Sequence, residues 1–226
     1  MLINSIFKLV IFDMAGTIIK ENNIVYKTLY KVLRPINMSI TEKDIIKFHG
    51  FNKNEIIEHF IKEKYKHIHS CKHIIDETIY TFNNLLKEKY SSDKYIRLMH
   101  PHIPNLFNTL RDNDKKIALN TGYNKEIQNI LIEKFKLNNC IDDYISSEEV
   151  KIGRPYPYMI YNLMERNNIK NINQVIKIGD TPADIQEGIN AGCFTIGVLS
   201  GASTYDELNS VKPNIIINDI MDLKFI

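Results

Sequence analysis

Five short apolar runs, at residues 7–12, 117–119, 175–178, 195–199 and 215–217, are each too brief for a buried helix, and each stops at a polar or glycine-containing turn. Runs of this kind form strands buried on both faces, as in a parallel sheet. Between them, residues 125–135, 158–166 and 183–191 place apolar side chains at helical spacing. Alternation of strand and helix predicts an α/β fold with a doubly wound, mostly parallel sheet.

The first and second runs are separated by roughly a hundred residues, whereas a plain crossover needs only a dozen or more. That interval is helix-like throughout. Its apolar positions include Ile24, Leu29, Val32 and Leu33, then Ile56, Ile57, Phe60 and Ile61, then Ile75, Ile79, Phe82, Leu85 and Leu86. The expected organisation is an α/β core formed by 1–20 and 96–226, with an inserted helical cap over 21–95. Hinges are expected near 20–23 and 91–94.

In open parallel sheets, ligands bind beyond the carboxyl ends of the strands. The first run ends at Asp13 in "DMAGT", the second leads into "NTGY" (120–123), and the third into "GDTPAD" (179–184); "GRPYP" (153–157) lies shortly before that third run. Gathered at one edge, Asp13, Asp180 and Asp184 offer hard oxygen ligands suited to Mg²⁺. Thr121, backbone N–H groups and Arg154 suit an anion, which points to a phosphoryl group. Singly, each motif has a plainer explanation, since the aspartates or Thr121 could cap helices and Arg154 could sit in a surface ion pair. Their position after successive strands favours a site.

In this order the four motifs resemble the haloacid dehalogenase superfamily of Mg²⁺-dependent phosphohydrolases, and the resemblance spans the whole chain. It implies a Rossmann-like core in which Asp13 is a nucleophile that forms an aspartyl-phosphate. It further implies that Asp13, the Ala15 carbonyl, Asp180 and Asp184 surround Mg²⁺, and that Thr121, Gly122 and Arg154 hold the phosphoryl group. The superfamily usually carries a second aspartate two residues after the nucleophile, as the acid for an oxygen leaving group. Here that position is Ala15.

"DMAGT", "TGY" and "GRPYPYM" together resemble the phosphonatase (phosphonoacetaldehyde hydrolase) branch and its relatives, which break a carbon–phosphorus bond. Protonating an oxygen does not help there; a lysine imine that accepts the electrons does. The matching cap segment is "HGFNKNEI" (49–56), which makes Lys53 the candidate imine former, with His49 and Ile56 standing where the branch has methionine and histidine. Tyr123 and His49 are further candidates for substrate contact. Two rival readings remain. One is a phosphatase for small phosphate esters with a cap histidine (His49 or His59) as acid, and the other is a catalytically silent phosphate-binding protein.

Charge and cysteine usage narrow the partners. The net charge is only +2 without a basic block, so nucleic acid is not expected. No apolar window approaches a membrane span, and the N-terminus lacks the features of a secretion signal. The three cysteines form no CxxC pair, which suits a reduced, cytoplasmic setting. An apolar cap helix could serve a homodimer. The cluster "HIHSCKH" places His67, His69, Cys71 and His73 at alternate positions; on a helix these scatter around the cylinder, so no metal site is assigned there.

Overall fold

In the strand at Leu9–Asp13 every residue is buried, and its side chains alternate between two apolar layers. Val10 and Phe12 join one layer, where the Phe12 ring lies 4.9 Å from that of Phe107, while Leu9 and Ile11 pack with Met159, Ile160 and Leu163 in the other. A strand covered on both faces belongs inside a doubly wound sheet.

The computed structural model describes residues 2–66, 70–92 and 96–225. In chain order the elements are β1 (Leu2–Ile3), β2 (Leu9–Asp13), β3 (Ile19–Lys20), α1 (Ile24–Leu33), α2 (Glu42–Ile46), α3 (Lys53–Lys64), α4 (Lys72–Ser92), β4 (Arg97–Leu98), α5 (Ile103–Asp112), β5 (Lys116–Thr121), α6 (Lys125–Lys134), β6 (Asp143–Ser146), α7 (Tyr158–Arg166), β7 (Val175–Gly179), α8 (Pro182–Ala191), β8 (Phe194–Val198), α9 (Tyr205–Ser210), β9 (Ile215–Ile217) and β10 (Lys224–Phe225). Six strands form the main sheet in the order β6-β5-β2-β7-β8-β9, all parallel. From β2 the chain builds outward through β5 and β6, then returns to β7 and builds the other way. The carboxyl ends of β2, β5 and β7 therefore meet at the switch point, where a ligand crevice forms.

Between β3 and β4 every element is a helix. Helix α4 packs on α1 and α3, burying Leu29, Ile57 and Phe82 among others. The two crossings of the chain are tied together where β3 pairs antiparallel with β4, Ile19 opposite Leu98. Just beyond β3, Asn22 and Asn23 adopt left-handed backbone with φ of 52° and 59°, which asparagine tolerates better than most side chains.

Strand β6 and helix α5 are among the elements that escape the sequence reading. Strand β6 is an edge strand of four residues, half of them only partly buried, so it has no apolar run to detect. Helix α5 lies between the insertion and β5 and buries Ile103, Leu106, Phe107 and Leu110. The C-terminal "IMDLKFI" packs on the core through Ile220 and Leu223, and β10 pairs with β1. Among the described residues, no helix is long and apolar enough to cross a membrane. His67 and His69 lie outside the described residues. Cys71 is a free, half-buried thiol just before α4.

Candidate active site

The turn after β2 sets the first carboxylate. Gly16 has φ +87°, and a Cβ there would collide with the Asp180 carboxylate, so glycine lets the β2 turn approach the β7 turn. Asp180 accepts a hydrogen bond from the Thr17 hydroxyl at 3.1 Å and another from the Ala202 N–H at 2.7 Å. Asp184 does cap its helix: Thr181 is the N-cap of α8 and shares a capping box with the Asp184 side chain. That cap also aims its other oxygen inward. The carboxylate oxygens of Asp13, Asp180 and Asp184 lie within 4.8 Å of one another.

Three buried carboxylates this close repel. Burial and the charges of Asp13 and Asp184 push the Asp180 carboxyl well above the usual range. Burial raises the Asp13 carboxyl too, assisted by Asp184 and opposed by Arg154 and Lys177. Burial also acts upward on Asp184, but Arg154 and Lys177 outweigh it and hold its carboxyl below the usual range. Asp180, set on a hydroxyl and an amide, pairs with no cationic side chain among the described residues. An all-oxygen donor set with excess negative charge fits a hard divalent cation.

Arg154 is no surface residue. It is 2% exposed, and its guanidinium Nη1 lies 2.7 Å from Asp13 Oδ1 and 2.8 Å from Asp184 Oδ1, while Nε lies 3.1 Å from Glu187 Oε2. Nη2 donates to the Asn120 carbonyl at 2.9 Å and to its Oδ1 at 2.7 Å. Lys177, fully buried on β7, adds a second cation 2.9 Å from both Asp184 Oδ1 and Asn120 Oδ1. Breaking a buried charge network by removing one partner strands the others. We therefore expect Arg154→Met to lower stability by about 3–5 kcal/mol, read as a melting temperature lower by about 6–20 °C for a chain of this size. Arg154→Lys, which keeps the charge but loses the fork, should lose less.

The inserted helices close over this floor. Gly50, with φ +83°, abuts Thr181, and the Gly122 turn meets the carbonyl oxygens of Phe51 and Gly50 so closely that an added Cβ would stand 2.7 and 3.0 Å from them. Asn52 caps α3, accepting from the N–H groups of Asn54 and Glu55, and this places Lys53 at the first helical position. The Lys53 side chain turns inward at 6% exposure and donates to the Phe51 carbonyl at 2.6 Å and to the Tyr26 hydroxyl at 3.3 Å. Burial, reinforced by the positive charge of Arg154, lowers its ammonium to about 8. Lys53, Asp13, Thr121, Arg154, Asp180 and Asp184 all line one cavity of about 270 Å³.

The remaining expected residues join them. Ala15, Gly122, Tyr123 and His49 line the same cavity. The Thr121 hydroxyl accepts from the Tyr123 N–H at 3.2 Å, and the cap of α6 is Asn124, so Thr121 is not a helix cap. The His49 ring lies 4.0 Å from that of Tyr26, its Nε2 is buried without a partner, and burial followed by the Lys53 charge lowers it to about 4. His59 packs instead against the Phe48 ring, at 5.1 Å.

A family model described as haloacid dehalogenase-like hydrolase matches residues 10–198. The protein belongs to this family. Within it, the chain is 28% identical over 218 residues to the phosphonoacetaldehyde hydrolase of Bacillus mycoides (strain KBAB4), covering 90% of this chain and 81% of that one. It is 36% identical over 104 residues to the bifunctional phosphonoacetaldehyde hydrolase/aminoethylphosphonate transaminase of Clostridioides difficile (strain 630), covering 46% of this chain but only 16% of that protein. The crystal structure of a phosphonoacetaldehyde hydrolase-like protein from Oleispira antarctica shares the fold, with a TM-score of 0.79 at 21% identity, covering 96% of this hydrolase and 89% of that chain.

Several residues of the hydrolase's site are absent from the sequence reading. Lys177 leaves a trace, a charge inside the apolar run "VIKIG", which marks a buried cation needing a partner. Glu187 and Asn120, which complete its network, and Tyr26, Glu21 and Tyr90 around the cavity leave none, because they are polar residues of ordinary type.

Proposed function

We propose that this hydrolase cleaves the carbon–phosphorus bond of a small phosphonate aldehyde, phosphonoacetaldehyde being the best fit, with residues 21–95 acting as the cap that closes the site. The observation that carries the reading is that Lys53, at the start of α3 in the inserted helices, and Asp13, at the end of β2, line one cavity. Asp13 attacks phosphorus and becomes an aspartyl-phosphate. Thr121, Gly122 and Arg154 orient the phosphoryl group for in-line attack. The Lys53 amine condenses with the aldehyde, releasing water, and the protonated imine takes up the electron pair of the breaking bond to leave an enamine. Tyr123 and His49 wall the aldehyde end, and closure of 48–52 on the core keeps water out.

We assign Mg²⁺ to Asp13, the Ala15 carbonyl, Asp180 and Asp184; when bound it neutralises charge on the phosphoryl oxygens. The repulsion among the three aspartates predicts a large effect on stability. Mg²⁺ at about a hundred times its dissociation constant should raise stability by about 2.7 kcal/mol, some 5–11 °C in melting temperature. In Asp180→Asn that increment should largely vanish. A melting temperature indifferent to Mg²⁺ in the parent protein would remove the assignment.

The function itself is tested by incubating the protein with Mg²⁺ and phosphonoacetaldehyde while following acetaldehyde and phosphate together. Stoichiometric release of both, with borohydride fixing a two-carbon adduct on the peptide containing Lys53, is the expected result. Phosphate release from small esters with none from the phosphonate would replace this reading with the phosphatase one.

A further inference from the structure

Glu21 is a buried carboxylate that the reaction above does not use. It lies directly after β3, is 7% exposed, and lines the same cavity as Lys53. The Tyr90 hydroxyl donates to Glu21 Oε2, and Tyr90 and Tyr123 hydroxyls are 2.7 Å apart, so a chain of two phenols ends on the carboxylate. Tyr90 comes from the last turns of α4 and Tyr123 from the loop after β5. Three separate segments therefore fix one carboxylate in place, a pre-organised charge.

We propose that Glu21 is the counter-ion of the protonated imine formed on Lys53. The inference rests on the imine reading of the preceding subsection. The step takes a free amine, an aldehyde and one proton from solvent to a protonated imine and water: the C=N bond forms, the C=O bond breaks, and the oxygen leaves as water. The proton on nitrogen makes the imine an electron acceptor and also a cation among buried side chains. A buried cation without a facing anion is strongly disfavoured.

The other carboxylates are already engaged. Asp184 is paired with Arg154 and Lys177, Asp13 is held by Arg154 and is consumed as the nucleophile, and Asp180 sits at the far corner on Thr17 and Ala202. The charged groups acting on Lys53 are Arg154, of the same sign, and Asp13, Glu21 and Asp184, of opposite sign. Of the three, Glu21 alone has no cationic hydrogen-bond partner among the described residues; its partners are the Tyr90 and Tyr123 hydroxyls and the Val25 backbone. Burial raises its carboxyl above the usual range, those hydrogen bonds and the Lys53 charge oppose the rise, and a cation formed on Lys53 would hold it ionised. Tyr26, whose hydroxyl accepts from Lys53, and Tyr123 are held as neutral phenols by burial, and His49 is held neutral by burial and the Lys53 charge. When the C–P bond breaks, the electron pair neutralises the nitrogen; protonation of the enamine carbon restores the cation, and Glu21 faces it again until hydrolysis.

The test compares the parent protein with Glu21→Gln and Glu21→Asp, using phosphonoacetaldehyde with borohydride, the mass of the Lys53 peptide, and the pH dependence of cleavage. Inorganic phosphate binding serves as the check on fold and on the phosphoryl end. We expect Glu21→Gln to slow adduct formation and cleavage by about 10²-fold and to move the alkaline limb of the rate profile down by a unit or more. Phosphate affinity should stay within a few-fold, and Glu21→Asp should recover most of the rate. Unchanged rate and limb in Glu21→Gln would overturn the proposal, as would a loss in Glu21→Asp as large as in Glu21→Gln, which would mean packing rather than charge. If only Glu21→Asp folds, a shift of its alkaline limb by a unit overturns the proposal. If the parent protein itself yields no Lys53 adduct, the imine reading falls and the counter-ion falls with it.

Discussion

Asp13→Asn should abolish phosphate release, a loss on the order of 10⁴ to 10⁶ in turnover by analogy with removal of other covalent nucleophiles, while leaving the melting temperature unchanged or higher. The two halves of this result have one cause. Asparagine preserves the shape and the oxygen that accepts from Arg154 Nη1 at 2.7 Å, so the buried network keeps its contacts. In the proposed mechanism it deletes the anion that attacks phosphorus. It also deletes one of three charges crowded within 4.8 Å, whose mutual repulsion helps raise the carboxyls of Asp13 and Asp180. A structural carboxylate would behave in the opposite way, costing stability and sparing turnover. Measurement of single-turnover phosphate release beside a thermal melt separates the two, and turnover within tenfold of the parent would remove Asp13 from the role of nucleophile.

How much of this arrangement was legible in the sequence follows from how each residue signals itself. Strands β2, β5, β7 and β8 announce themselves as apolar runs because each is covered on both faces or nearly so, and the edge strand β9, partly buried throughout, shows as three successive isoleucines. The residues that end those strands, Asp13, Thr121 and Asp180, are legible because topology alone brings the ends of β2, β5 and β7 together. Lys53 is harder, being one lysine among many at the start of a helix. Its inward turn depends on Tyr26 and on the close approach of Gly50 to Thr181, long-range contacts that no local pattern encodes. Glu21 and Tyr90 are further still from view, since their pairing joins residues 69 apart across the whole insertion. The motif around Arg154 places it at the site but does not reveal its ion pairs: Asp13 comes from β2, and Asp184 and Glu187 from α8, elements that meet Arg154 only in the folded chain.

Replacing Lys53 tests what stands in for the absent acid. Ala15 lines the cavity two residues after Asp13, and its methyl group can donate no proton, so an ester leaving group would depart unassisted, at a penalty of about 10² to 10⁴ in rate. A carbon leaving group needs an electron acceptor instead, and Lys53 lines the same cavity as Asp13. Lys53→Ala should therefore lose phosphonoacetaldehyde cleavage by roughly 10⁴-fold or more, while inorganic phosphate still binds at Arg154 and Thr121. Lys53→Arg should be equally inactive, because a guanidinium keeps the charge and forms no imine. The parent's pH dependence supplies an independent sign. In the proposed mechanism the free amine is the nucleophile, and burial and Arg154 bring its midpoint to about 8. The rate of adduct formation should rise about tenfold per pH unit below that midpoint and level off above it, whereas an exposed lysine would go on rising for about two units more. A profile flat from pH 6 to 8, or a Lys53→Ala variant that still cleaves the C–P bond, would return Lys53 to the status of a cap residue.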